Sequence, residues 1–324
     1  MLTIASNLYN TSPEELIPQS GGHYNAVYQF PIGNKFAILR IGVQDCHYNQ
    51  TMGMLEWVNF LSHQGAPVSA PLRSINNHLL ERVRHYGTVY NMTAFEKAEG
   101  ILAENIPISE WSTELFQSIG KAAGMLHRIS AGYKPSRPSR TRPEWFDSYE
   151  IHNAIEKLAE SSDPAREILA NLIQELQLLP KPSADYGMIH EDLHYANFLI
   201  QADGNVTIID FDDCSYGWYA MDVAMALFDV LVLYNASSEE ESQHFAREFL
   251  SSYLKGYRLE KDLPLFLQCQ IPKFLKLKEL CIYADLVGLS ETAQQDSWVG
   301  RFMHNRATRI ADGTPYVDID FREL

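Results

Sequence analysis

Apolar residues recur along the chain with two different periods, and the change from one to the other divides it. Over roughly the first ninety residues they alternate, and Ala26 to Phe30, Phe36 to Ile41, Leu79 to Val83 and Thr88 to Ala94 predict strands. One helix, about Gln50 to His63 and ending near Gly65, interrupts them. From Glu110 onward the helical period takes over. Leu115, Ile119, Ala122, Leu126 and Ile129 recur at alternating steps of four and three behind a capping Ser112. Asp163-Pro164 opens a second helix, with Leu169, Leu172, Leu176 and Leu179 on one stripe and Pro180 ending it. Two or three further helices fill Ser238 to Gly313. Phe198 to Ile200 and Val206 to Ile209 interrupt the helical region as two short strands about a turn at Asp203-Gly204.

A length of 324 residues favours two lobes over one core, and 46% hydrophobic with 21% charged residues describes an ordinary globular chain. Met1 to Asn10 has no basic stretch followed by an apolar one, so no signal peptide is expected. The most apolar segment, Met221 to Tyr234, contains Asp222 and Asp229 and is too short to span a bilayer. Cys46, Cys214, Cys269 and Cys281 have neither metal-ligand spacing nor the density of a disulfide framework. A reduced cytoplasm without a membrane partner is the expected setting. The net charge of −15 argues against nucleic acid as a partner. One segment runs against that balance: Lys134 to Pro143 holds four basic residues, three prolines and no acid. It predicts a loop, either solvated between two helices or contacting phosphate or substrate.

The chemistry concentrates in the short hairpin. His190-Glu191-Asp192 precedes it, Asn197 follows Asp192 by five residues, and Asp210 ends the second strand. A hairpin between Asn197 and Asp210 brings one amide oxygen and one carboxylate side by side, with Asp192 one loop away. Hard oxygen donors in that number suit magnesium, which keeps most of its waters and takes phosphate oxygens as well. A free aspartate beside them completes the parts for phosphoryl transfer. The H-x-D-x-x-x-x-N spacing and the later aspartate resemble the aminoglycoside phosphotransferase and choline kinase superfamily, which shares the protein-kinase fold.

That resemblance covers most of the chain. It implies an α+β, bilobal architecture, with an antiparallel β-sheet lobe over residues 1–95 that binds nucleotide. A larger, mainly helical lobe over residues 96–324 would carry catalysis and the acceptor. Asp192 would accept the hydroxyl proton, while Asn197 and Asp210 would hold magnesium. His194 stands where protein kinases place a lysine that reaches the transferred phosphate; the other reading is loop packing. Asp222, in Ala220-Met221-Asp222-Val223-Ala224, resembles the structural aspartate that braces the catalytic-loop histidine, and Leu126-His127 resembles a recurring pair of the family. The pattern departs from protein kinases in Glu191 for arginine, Asp210-Phe211-Asp212 for D-F-G, and the lack of an A-P-E motif. Control by activation-loop phosphorylation is therefore not expected.

On the nucleotide side, Gly21 and Gly22 precede the first strand and either form a simple turn or let backbone N–H groups approach phosphates. Phe36, Ile38 and Arg40 share one strand face by period-two alternation, and a cation on an otherwise apolar face needs a partner or ligand. Protein kinases place a lysine here, paired with a glutamate on the next helix. Arg40 and Glu56 are the matching residues, unless Glu56 is simply exposed; Lys35 on the opposite face is the weaker candidate. Phe95, Glu96 and Lys97 resemble the hinge whose backbone meets the adenine edge. The expected activity is ATP- and magnesium-dependent phosphotransfer to a small acceptor hydroxyl. Glu191, Asp212 and Asp213 favour a cationic acceptor of the aminoglycoside, amino alcohol or homoserine class. The alternatives are a bacterial stress-response Ser/Thr protein kinase, which the Asp-Asp after Asp210 resembles, and a nucleotide-binding pseudokinase.

Overall fold

A computed structural model of the chain describes residues 1–19, 25–43, 48–159, 163–289 and 298–324. The N-terminal region is an antiparallel sheet of β1 (Ile17–Gln19), β2 (Asn25–Ile32), β3 (Lys35–Val43), β4 (Pro71–Leu72), β5 (Glu81–His85) and β6 (Thr88–Glu96). Its order is β1-β2-β3-β6-β4, with β5 also paired to β6. Alternation along β3 decides what each face does. Ala37, Leu39 and Ile41 are buried against Ala5 and Tyr9 of the N-terminal segment and against Phe30, Met92 and Ala94. Phe36, Ile38 and Arg40 are thereby turned to the other face. β5 starts two residues later than the alternation predicts, because Leu79 and Leu80 are buried without joining the ladder.

Helix α1 (Leu2–Leu8) covers the sheet, and α2 (Tyr48–His63) follows β3. The apolar stripe of α2 joins the larger core and not the sheet's own cluster: Met52, Leu55, Trp57, Val58 and Leu61 are all buried there. Trp57 Nε1 donates to Ser130 Oγ at 3.2 Å, at the end of α3 (Thr113–Ser130). The predicted cap is present, with Ser112 Oγ accepting from the Leu115 N–H at 3.3 Å. α4 (Tyr149–Ala159) was not anticipated, and α5 (Ala165–Gln177) ends before Leu179. Then come α6 (Tyr219–Tyr234), α7 (Glu239–Tyr257), α8 (Leu265–Gln268), α9 (Ile271–Leu286), α10 (Trp298–Met303) and α11 (Arg306–Ala311). Described residues within Ser238 to Gly313 thus form five helices, several of them short, where the periodicity suggested two or three. No helix among the described residues is long and apolar enough to cross a membrane.

Small strands carry the loops of interest. β9 (Phe198–Ile200) pairs antiparallel with β10 (Val206–Ile208) as the hairpin predicts, and β7 (Ile101–Leu102) flanks β9. β8 (Tyr186–Ile189) pairs with β11 (Ser215–Trp218) and delivers the chain to His190. At the turn, Gly204 adopts φ +82, a conformation in which a side chain would be strained.

Glycine also sets the helix packing that supports this region. A Cβ on Gly120 of α3 would lie 1.9 Å from the Tyr253 carbonyl oxygen, and one on Gly256 of α7 would lie 1.9 Å from that of Gln117. With no Cβ, the two backbones meet directly. This brings the Tyr257 hydroxyl to His127 Nδ1 at 2.9 Å. His127 Nε2 in turn lies 2.9 Å from Asp222 Oδ2. The consistent tautomer has Tyr257 donating to Nδ1 and Nε2–H donating to the carboxylate. Asp222, fully buried on α6, also accepts from the backbone N–H groups of His190 and Glu191, each at 2.8 Å. The expected brace exists, but it holds the loop backbone. The His190 ring instead bonds the Ile209 carbonyl through Nε2 at 2.9 Å.

Removing the Asp222 carboxylate strands three buried donors, each costing about 1–3 kcal/mol. Asp222→Ala should therefore lower unfolding free energy by at least about 3 kcal/mol in urea titration; a loss under about 1 kcal/mol contradicts the brace. Burial holds the His127 pKa below its ordinary value of 6.5, with the Asp222 bond only partly opposing. A histidine kept neutral in the fold stabilises it above that ordinary value. Stability should thus fall as pH drops below about 6.5, where the unfolded imidazole takes up its proton.

Candidate active site

β8 leads into a loop whose backbone Asp222 holds at His190 and Glu191. Glu191 has φ +69 and Asp210 φ +62, left-handed conformations that cost non-glycine residues energy and concentrate at functional sites. The Asn197 carbonyl accepts from the Ile209 N–H at 3.0 Å, closing the base of the hairpin and setting Asn197 beside Asp210. The Asn197 amide nitrogen donates to the Asp192 carbonyl at 2.9 Å and to Asp192 Oδ2 at 3.2 Å. Two acceptors on that side fix the amide orientation and turn its oxygen the other way. Asp192, Asn197 and Asp210 are brought together as the spacing predicts.

His194 Nε2 lies 3.0 Å from Asp192 Oδ2, and its Nδ1 accepts from the Ala196 N–H at 3.1 Å. This histidine therefore orients the aspartate through its own loop. Burial alone would raise the Asp192 carboxyl, but the His194 bond and charge, with Lys278 behind them, hold it well below the usual carboxylate range. Burial likewise opposes a charged His194, yet the Asp192 contact raises its pKa. Asp192 Oδ2 takes both contacts, which leaves Oδ1 for another group.

Arg40 reaches this site from β3. Its Nη1 lies 3.3 Å from Asp210 Oδ1, and its Nη2 forms an ion pair with Asp212. Burial opposes its charge, and the two carboxylates outweigh that effect and raise its pKa. The expected partner Glu56 is engaged elsewhere. It pairs with Arg140 and accepts from Ser136 Oγ at 2.8 Å, so the Arg40–Glu56 pair is replaced by Arg40 with Asp210 and Asp212. The reason is competition: the basic loop packs on α2 closely enough that a Cβ at Gly53 would lie 2.2 Å from the Arg140 carbonyl oxygen. The same loop bonds the Asp210–Cys214 segment, with Arg142 Nη2 donating to the Asp212 carbonyl at 2.7 Å and Nε to that of Cys214 at 2.6 Å. Lys134 to Pro143 is thus a tie between α2 and the Asp210–Cys214 segment, not a freely solvated loop.

The hinge candidates end the sheet. The Glu96 N–H bonds the Ala70 carbonyl at 2.8 Å, the Lys97 N–H bonds that of Phe36 at 2.9 Å, and Phe95 pairs with Ile38 and Pro71. Gly21 and Gly22 lie outside the described residues. Of the carboxylates read as attracting a cationic acceptor, Asp212 is taken by Arg40. Asp213 stands in the same turn, where burial and the neighbouring Asp192, Asp212 and Asp210 push it up to about 6. Lys278 and Glu150, paired to one another near Asp192, went unread in the sequence. They come from α9 and α4, and no local spacing links them to the loop.

A family model for phosphotransferase enzymes matches residues 15–263. Amicoumacin kinase of Bacillus subtilis (strain 168) is 32% identical over 275 residues, covering 84% of this chain and 80% of that protein. The solved structure of amicoumacin kinase hAmiN in complex with AMP-PNP, Ca2+ and Ami is similar with a TM-score of 0.85 at 27% identity, covering 100% of this chain and 96% of that one. A microcompartment-associated aminopropanol kinase shares the fold, with a TM-score of 0.66 at 23% identity over 97% of this chain and 98% of that one. The arrangement of Asp192, Asn197 and Asp210 and these likenesses lead to one conclusion: the chain belongs to the phosphotransferase enzyme family.

Proposed function

We propose that the protein moves the γ-phosphoryl group of ATP, bound with magnesium, to a hydroxyl of a small cationic acceptor. The observation that carries this reading is the convergence of Asp192, Asn197 and Asp210, with Asn197 bonded to the first and held beside the last by the hairpin. The donor set fits magnesium. The Asn197 amide oxygen is turned away from Asp192, and Asp210 presents a half-exposed carboxylate of which Arg40 takes only Oδ1. Two hard protein oxygens are the number that a magnesium–nucleotide complex needs. When bound, the ion would neutralise charge on the phosphates. Arg40, now on Asp210 and Asp212, is within the same cluster and is the candidate for the phosphates, as a fixed-charge bidentate donor.

Asp192 does the work at the acceptor. Its depressed pKa keeps it ionised at neutral pH, and its free Oδ1 can accept the hydroxyl hydrogen and orient the oxygen. In a loose transition state the proton leaves late, so positioning matters more than basicity. His194 and Asn197 hold the carboxylate in place through Oδ2. In this reading residues 1–95 carry the nucleotide and residues 96–324 the chemistry and acceptor. The adenine edge would meet the chain just after Lys97, since the Glu96 and Lys97 N–H groups are already bonded. The named substrate of the relative at 32% identity, amicoumacin, is the first acceptor to test.

Two measurements examine the roles. Calorimetric ATP binding should tighten when magnesium is added, and Asp210→Ala should abolish that dependence; equal ATP affinity with and without magnesium in the wild type contradicts the assignment. Asp192→Asn should lower kcat for ADP formation with amicoumacin by on the order of 10²–10⁴-fold and leave ATP affinity within about twofold. Full turnover by the variant would show that Asp192 is only a loop residue.

A further inference from the structure

Beneath the catalytic loop lies a small cavity of about 30 Å³, room for one small group, that phosphoryl transfer itself does not use. Its walls are mostly apolar, with Met221, Met225 and Phe274 facing three charged residues: Glu150, Glu191 and Lys278. Lys278 is bound to Glu150, and that pair neutralises itself. Glu191 is left over, and its Oε2 is buried without a hydrogen-bond partner. A buried polar atom without a partner is costly and calls for an explanation, such as a group that arrives with the ligand.

The backbone of Glu191 is equally deliberate. It is held left-handed at φ +69, with its N–H on Asp222 at 2.8 Å, and it immediately precedes Asp192. The two carboxylates thus spring from Cα atoms about 3.8 Å apart, one at the reacting hydroxyl and one in the wall of the cavity. Asp212 belongs to Arg40, so it cannot provide the acceptor's counter-charge.

We propose that Glu191 is the ammonium-binding residue of the acceptor site. A protonated primary or secondary amine enters this cavity and donates to the carboxylate, while a hydroxyl on a nearby carbon lies at Asp192. The ammonium compensates the charge that the carboxyl takes on as it ionises, and an N–H donor satisfies the orphaned oxygen. A quaternary ammonium has no hydrogen to give and leaves that oxygen unpaired. The cavity has room for the ammonium head, and its apolar walls border the carbon beside it. This inference rests on the phosphotransfer reading only for the place of the hydroxyl.

The titratable groups around Glu191 are Glu150 from α4, Lys278 and Cys281 from α9, Cys214 beside Ser215, and Asp192 in its own loop. Burial pushes the Glu191 carboxyl up to about 8; the Ser215 and Ser148 hydroxyls and Lys278 oppose this, and Glu150 adds to it. The carboxyl is therefore mostly protonated at pH 7 and ionises when an ammonium arrives, releasing a proton.

The test is titration calorimetry at pH 7 on the full chain loaded with AMP-PNP and magnesium, in two buffers of different ionisation enthalpy. The probes are 1-amino-2-propanol, its N,N,N-trimethyl analogue and 1,2-propanediol. The primary amine should bind at least about tenfold more tightly than the other two and release most of one proton per molecule bound. Glu191→Gln should erase both the preference and the proton release. Met221→Phe, which fills the cavity and leaves Glu191 untouched, should weaken the amine by a similar factor. Equal affinity for the three probes, or a preference that survives Glu191→Gln, would overturn the proposal. Full amine affinity in Met221→Phe would do the same. ADP formation with ATP is scored separately. Glu191-dependent amine binding without phosphotransfer would sink the functional reading and leave the amine site standing, whereas phosphotransfer indifferent to the amine would do the reverse.

Discussion

The site depends on one buried carboxylate. Asp222 sits inside α6, where an ionisable group without donors would be severely destabilising. It has three, namely the His127 ring and the backbone N–H groups of His190 and Glu191. Because two of them belong to consecutive loop residues, satisfying Asp222 fixes the path of the chain as it leaves β8. The left-handed turn at Glu191 follows from that path, and it sets where Asp192 emerges. The third donor ties the loop to the direct α3–α7 backbone contact through His127 and Tyr257. Helix packing some distance away thus reaches the loop that carries Asp192 through two hydrogen bonds.

A second network joins the sheet to the same loop. Arg40 spans from β3 to Asp210 and Asp212, while Arg142 holds the Asp212 and Cys214 carbonyls and Arg140 holds Glu56 on α2. The protein-kinase arrangement, in which one helix glutamate positions the phosphate-binding cation, is redistributed here. Glu56 anchors the basic loop, and Asp212 positions the cation. The Arg40 pairs are partly buried and neutralise part of the acidic segment. The basic loop occupies the role of a strut, which accounts for Arg140 and Arg142 among its four positive residues.

The parts legible in the sequence were local. Loop spacing and hairpin period fixed the relative positions of Asp192, Asn197 and Asp210, because each is set by fewer than twenty residues of intervening chain. Alternation put Arg40 on the correct face of β3. The pairing of Glu56 was not legible, since Arg140 lies 84 positions away and wins by tertiary packing against Gly53. Leu79 and Leu80 read as strand because burial and strand pairing leave the same alternation, yet they fill the core from an irregular segment. The Lys278–Glu150 pair and the cavity beside Glu191 needed α4 and α9 brought together, and periodicity carries no information about that.

The most direct measurement of the central claim is the fate of the phosphoryl group. Phosphorus NMR of the full chain with ATP, magnesium and amicoumacin follows it without labels. The account predicts a phosphomonoester resonance, coupled to a proton on the acceptor carbon, that grows in step with ADP. ADP accumulating with inorganic phosphate alone, or neither product forming while the acceptor binds, would contradict it.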